Sequence, residues 1–213
     1  MAARTDGAAA SPQKRTRGRP KLDIDCDAVA DAAAELFAEG GYDAVTIVNA
    51  ADKLAVSRAT LYRTVPTKDD LLRILFERST AQLTARAQDV LGATDDPRER
   101  LAGLIRVQAV AAIRMRGHMS VFFESGQLPP DVLGRWRRWS RKYESAWIGL
   151  VADNIEAGTL DIGGGDPRVA ARLIFGMLIS VCRWYRPGEA ITPEEVAEVA
   201  IRLLGLSATG RPR

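Results

Sequence analysis

The chain has 213 residues, is 46% apolar and 27% charged, and carries a net charge of +3. That is ample apolar material for a buried core. Two distant cysteines and one histidine (Cys26, Cys182, His118) exclude a disulfide scaffold and a His/Cys metal cluster. The first 25 residues lack the apolar core of a signal peptide, and no apolar run reaches the roughly 18 residues a membrane span needs, so a soluble, cytoplasmic protein is expected.

Frequent Ala, Leu, Arg and Glu favour helix over strand. Residues 1–23 are rich in Ala, Gly, Pro and Arg without periodicity and read as a disordered arm, with five basic residues and no acid between Lys14 and Lys21. From Val29, the apolar positions Val29, Ala33, Leu36 and Phe37 predict a helix that Gly40-Gly41 ends. Thr46 is placed to cap a short helix from Ile47 to Leu54, and Ser57 to cap another running to Thr64. Pro66 closes that helix by disfavouring the helical conformation at Val65. Thr67 starts a long helix, with Asp69 and Asp70 in its first turn and Leu72, Leu75, Phe76 and Leu83 on its buried side.

After the breaker at "GATDDP", Leu101, Leu104, Ile105, Gln108, Ala111, Ala112 and Met115 mark the next helix. A short "HMSVFFES" segment precedes "GQLPP", and a long helix then runs from Asp131 to Ala157. "GGGDP" separates it from an apolar helix between Pro167 and Tyr185, and Pro193 opens the last helix. No segment alternates with a period of two long enough for a strand. The fold predicted is all-α, of about nine helices, with no internal repeat.

The stretch Ala55–Leu72 carries the specific signal. A short second helix follows the turn Leu54-Ala55-Val56, as a helix-turn-helix requires if N-terminal side chains are to enter a major groove. Ser57, Arg58, Thr60, Tyr62 and Arg63 give it hydrogen-bonding or cationic groups, and Ala59 and Leu61 are the positions expected to pin it. Lys68 and the amides near Thr67 offer an anion site suited to a DNA phosphate.

At these residues the sequence resembles the TetR family of transcriptional regulators. Thr46, Ala51, Val56, Ser57, Thr60, Leu61, Tyr62, Lys68 and Leu71 stand at the family's head positions without a gap, and Ala32–Thr46 is similar to its first helix and exit. The resemblance is specific over residues 25–75 and rests on helix count beyond them. It implies a helix-turn-helix head over residues 24–70 and a regulatory ligand-binding and dimerisation domain over 71–213. It also implies phosphate contacts for Thr46, Tyr62 and Lys68, and base reading for Arg58 and Arg63, with Arg63 equally suited to a phosphate. Four positions depart from the pattern. Ala50 replaces a larger aliphatic. Ala55 replaces a glycine and costs about 1–2 kcal/mol if the left-handed turn is kept. Thr64 replaces an aromatic and keeps a hydroxyl for a lighter backbone contact, and Val65 replaces a core Phe, whose volume neighbours such as Phe37 or Leu72 must fill.

In the arm, Arg17, Gly18, Arg19 and Pro20 form an Arg-Gly-Arg-Pro core similar to an AT-hook. It reads either as a minor-groove segment or as a generic basic tail adding salt-sensitive affinity. In the regulatory part, Trp136, Trp139, Tyr143, Trp147, Leu150 and Val151 form a stripe at helical spacing. The stripe suits core packing, and the family resemblance makes Trp136, Tyr143 and Trp147 candidate pocket walls, with Phe122 and Phe123 as a further wall. Arg135, Arg137, Arg138, Arg141 and Lys142 read as a solvated face or, with Trp184–Ala197, as similar to the acyl-CoA-responsive branch of the family. The apolar helix with Leu173, Met177 and Val181, together with Val199 and Leu203 of the last helix, is either internal or the expected four-helix dimer interface.

The function implied is a ligand-responsive, sequence-specific repressor, a homodimer released from a palindromic operator by a small apolar or amphipathic effector. The alternative is an activator or architectural DNA binder without ligand control. No catalytic residues, metal ligands or cofactor are expected: no nucleophile has a paired base, and no glycine-rich phosphate loop follows a strand.

Overall fold

The structure is a computed structural model describing residues 24–118, 129–186, 188 and 190–207. Among these residues are eight delimited helices and no strand, and a further helical turn opens at residues 116–118. The helices are α1 (Cys26–Ala44), α2 (Ile47–Lys53), α3 (Arg58–Thr64), α4 (Lys68–Ala93), α5 (Pro97–Arg114), α6 (Pro130–Glu156), α7 (Pro167–Trp184) and α8 (Pro193–Leu203). The arm residues Arg17, Gly18, Arg19 and Pro20, and Phe122 and Phe123, lie outside the described residues.

Local chemistry sets the starts and stops. Asp25, Thr46, Ser57, Thr67, Asp96, Asp166 and Thr192 each cap a helix by accepting a backbone N–H into the side chain. Proline occupies the opening turn of α5, α6, α7 and α8, where a missing N–H is harmless. The helical path of α1 breaks at Gly40-Gly41, with Gly41 at φ 67°, before a last turn to Ala44.

Helix α5 is the axis of the body. It packs against α4, α6, α7 and α8, which is why Leu101, Leu104, Ile105, Ala109 and Ala112 are all buried. Helix α1 lies on α4, and α2 links α1 to α3, so α4 runs from the three-helix head into the body. At the far end, the wholly buried Asn154 donates to the carbonyl oxygens of Pro97 and Leu150, both at 2.8 Å, and accepts from Thr159 Oγ1 at 2.7 Å. Every polar atom of that amide with a partner in reach is therefore used, and α6 is tied to the start of α5.

Helix α7 is two-faced, with Ala171, Ile174, Leu178 and Val181 buried. Val169, Leu173, Met177 and Trp184 are exposed, and they continue into Val199 and Leu203 of α8 as one apolar patch. Val181, expected with Leu173 and Met177 at the dimer interface, is buried within the chain. It points inward and packs in a small cluster with Ile113, Tyr185 and Val196, because it falls on the same helical face as Ile174 and Leu178.

Candidate DNA-binding interface and ligand cavity

Helices α2 and α3 are joined by the turn Leu54–Ser57, and Ala55 adopts φ 53°, the left-handed conformation that glycine would take without strain. Ser57 Oγ accepts from the Thr60 amide at 3.1 Å and lies 2.7 Å from Thr60 Oγ1, so both hydroxyls hold the opening turn of α3. Leu61 is fully buried and pins the helix to the head. Ala59 does not: it is exposed, because Leu61 and the turn already hold the inner side of so short a helix. Arg58, Tyr62, Arg63 and Thr64 face solvent, with Tyr62 49% exposed, and neither arginine has an ion pair among the described residues. Val65 is fully buried in the core cluster that also contains Phe37 and Leu72.

Thr46 Oγ1 accepts from the Asn49 amide at 3.1 Å and so caps α2. Lys68 is more engaged than its sequence position suggested. Its Nζ donates to the Tyr42 carbonyl oxygen at 2.6 Å, and burial lowers its pKa from the ordinary lysine value. The Thr67/Asp70 capping box also occupies two amides at the start of α4. An anion arriving there would meet a helix end already partly satisfied.

In the body, Trp136, Trp139 and Tyr143 stack along α6. The Trp136 and Trp139 rings are 5.2 Å apart, and Trp139 and Tyr143 are 5.0 Å apart with only 12° between their planes. They wall an apolar cavity of ≈ 160 Å³ closed by Leu83, Gln108, Met115, Phe175 and Ile179. Trp139 and Tyr143 also line a second cavity of ≈ 300 Å³, with Thr84, Leu91, Leu104, Lys142 and Ala146. The Tyr143 hydroxyl donates to Gln108 Oε1 at 3.1 Å. Burial raises the pKa of this phenol, and the Trp147 indole offsets the rise only in part, so Tyr143 is a neutral donor. Trp139 Nε1 donates to Thr84 Oγ1 at 2.9 Å, and that hydroxyl in turn donates to the Thr80 carbonyl oxygen at 2.7 Å.

Trp147 departs from expectation. It is fully buried behind Phe175 and lines neither cavity. The residues missed from sequence are Gln108, Phe175 and Ile179. The i, i+4 spacing of Phe175 and Ile179 on α7 was the available signal. Of the basic run on α6, Arg135 is spent on Glu77 and Asp131, while Arg137, Arg138 and Arg141 are solvated.

A tightly turned helix pair presenting arginines and a tyrosine, mounted on a helical body with an internal aromatic cavity, defines a helix-turn-helix DNA-binding regulator. Residues 29–75 match the family described as "Bacterial regulatory proteins, tetR family", and residues 94–206 match "Tetracyclin repressor-like, C-terminal domain". The chain belongs to the TetR family of transcriptional regulators, which are not enzymes. A curated relative, the HTH-type transcriptional repressor KstR2 of Mycobacterium tuberculosis, is 27% identical over 191 residues, spanning 84% of this chain and 90% of that protein. Among solved structures, a TetR/AcrR regulator from Thermobifida fusca superposes with a TM-score of 0.69 at 26% identity, covering 87% of this chain and 98% of that one. AibR in complex with isovaleryl coenzyme A and operator DNA shares the fold with a TM-score of 0.72 at 20% identity, covering 84% and 98%.

Proposed function

We propose that the protein is a ligand-responsive repressor that binds a palindromic operator as a homodimer and leaves it when an amphipathic effector of the acyl-CoA class enters the aromatic cavity. Residues 24–70 serve as the head, 71–213 as the regulatory and dimerisation domain, and 1–23 as a basic DNA-binding arm. The observation that carries the reading is the apolar cavity walled by Trp136, Trp139 and Tyr143 and bounded by Leu83 of α4, the helix whose other end adjoins α3. A ligand preferring the conformation with misplaced heads would draw the population away from the DNA-bound form. KstR2 is named a repressor, and the fold neighbour AibR was captured with isovaleryl coenzyme A and operator DNA, which supports the effector class.

Two-fold pairing is supported by the apolar patch on α7 and α8. Leu173 is 70% and Leu203 72% exposed, and with Met177 and Val199 they form a contiguous surface of the kind that marks an interface. Two heads on one dimer match half-sites spaced by one helical turn or a multiple of it.

The test is a selection of bound duplexes from a random library, followed by titration of acyl-CoAs, steroids and free fatty acids. A palindromic consensus released by an acyl-CoA is expected. Failure to enrich any palindrome removes the operator reading, and absence of release or thermal stabilisation by acyl-CoAs removes the effector class.

A further inference from the structure

A cleft of ≈ 390 Å³ opens where α1 of the head meets α4 and the end of α5. Its α4 wall is one helical face: Arg78, Gln82 and Arg86 recur at spacings of four, so their side chains project into the same concavity. Arg114, from the last turn of α5, faces them. The acid in the lining is Asp31 on α1, and it is already paired with Arg78, which also donates to the Asp27 carbonyl oxygen at 2.7 Å. Arg86 and Arg114 have no ion-pair partner among the described residues. The cleft therefore holds an excess of positive charge in a concave site, whereas on α6 Arg135 is ion-paired, Arg137, Arg138 and Arg141 are exposed, and Lys142 edges the second cavity.

Position and size narrow the ligand. Leu83 and Met115 line both this cleft and the aromatic cavity, so the charged and apolar chambers share one thin wall. A lone carboxylate displaces little more than one or two waters, at about 30 Å³ each, and would leave most of the cleft unfilled. A phosphate chain brings several charges and oxygen edges matched to the guanidinium fork.

We propose that this cleft is a polyphosphate-binding site that receives the phosphate-bearing end of the effector whose apolar end lies beyond Leu83 and Met115. The placement of the apolar end rests on the effector reading above; the anion site does not. One wall of the cleft is α1, so a phosphate drawing on Arg78 competes with Asp27 and Asp31 for the guanidinium that ties the head to α4.

Isothermal titration of the full chain with coenzyme A, octanoyl-CoA and octanoate tests this, comparing the parent with Arg86→Ala/Arg114→Ala. Both arginines are exposed and unpaired, so the variant should fold, which circular dichroism verifies. Coenzyme A is expected to bind the parent and to lose affinity by about tenfold or more in the double variant, while Arg137→Ala/Arg138→Ala leaves it unchanged. No binding of coenzyme A to the parent, equal binding to both proteins, or an equal loss in the α6 control overturns the site. Selective loss of octanoate affinity in the double variant replaces it with a carboxylate site. Octanoyl-CoA binding no tighter than coenzyme A refutes the effector reading and leaves the anion site standing.

Discussion

The ammonium of Lys68 stands 3.5 Å from the centroid of the Tyr42 ring while donating to the carbonyl oxygen of the same residue. One side chain thus joins the first turn of α4 to the exit of α1 by a cation–π contact and a charge-assisted hydrogen bond. Lys68→Met keeps the apolar stem and removes both. We expect a loss of about 1–2 kcal/mol, read as a lower denaturant midpoint at unchanged slope; an unshifted midpoint would show that water replaces the contact at no cost.

Ala55 is the one non-glycine residue with positive φ among the described residues. The left-handed conformation costs an alanine about 1–2 kcal/mol, and glycine gives back roughly 0.4–1 kcal/mol through the unfolded chain. Ala55→Gly should therefore stabilise the head by about 0.5–1 kcal/mol, with operator affinity unaltered. Thermal unfolding decides it, and a fall in melting temperature would contradict the strain argument.

Arg58 and Tyr62 are exposed on α3 and hold nothing else in place, so their truncation should spare the fold and act on DNA alone. Arg58→Ala is expected to weaken the operator more than a scrambled duplex, by about 1–3 kcal/mol if it pairs with guanine. Tyr62→Ala should weaken both duplexes alike, as a phosphate contact does. Fluorescence anisotropy on the two duplexes separates the cases; unchanged operator binding in both variants would refute the assignment of α3.

Glutamate at Leu173 and Leu203 places charge on the outward face of α7 and α8. The double variant should remain folded and run as a monomer in light scattering. Val181→Glu should behave differently, losing stability because that side chain is buried against Ile113 and Tyr185. A folded dimer carrying both glutamates would move the interface elsewhere.

Burial lowers the His118 pKa to about 4 from its ordinary 6.5. The fold favours the neutral ring, so this contribution is fully present above the unfolded value and is lost as pH falls through the window between the two. The loss amounts to about 3 kcal/mol at most. His118→Gln should flatten the stability profile between pH 6.5 and 4 relative to the parent. A parallel decline in both proteins would assign the acid sensitivity to carboxylates instead.

The head was legible because its chemistry is local. A cap at Ser57, a proline at 66 and a left-handed turn at 55 each act over a few residues, and each stands where the sequence placed it. Facing was harder to read. Trp147 and Val181 lie on the expected helices, yet which neighbour covers each depends on helices distant in sequence, so one is sealed behind Phe175 and the other turned inward. The charged cleft escaped for a related reason. Arg86 and Arg114 look like ordinary solvated positions until α1, α4 and α5 are brought together.

The hydroxyl of Thr84 accepts from the Trp139 indole and donates to the Thr80 carbonyl, and Thr80 Oγ1 reaches back to the Phe76 carbonyl at 2.9 Å. Hydroxyls bonded back onto carbonyls one turn earlier bend a helix. The aromatic wall of the cavity is thereby tied to the backbone of α4 rather than merely resting on its surface. On the function proposed above, a guest that displaces Trp139 would free one end of that chain of bonds, and its message to the recognition helices would run along the backbone of a single long helix.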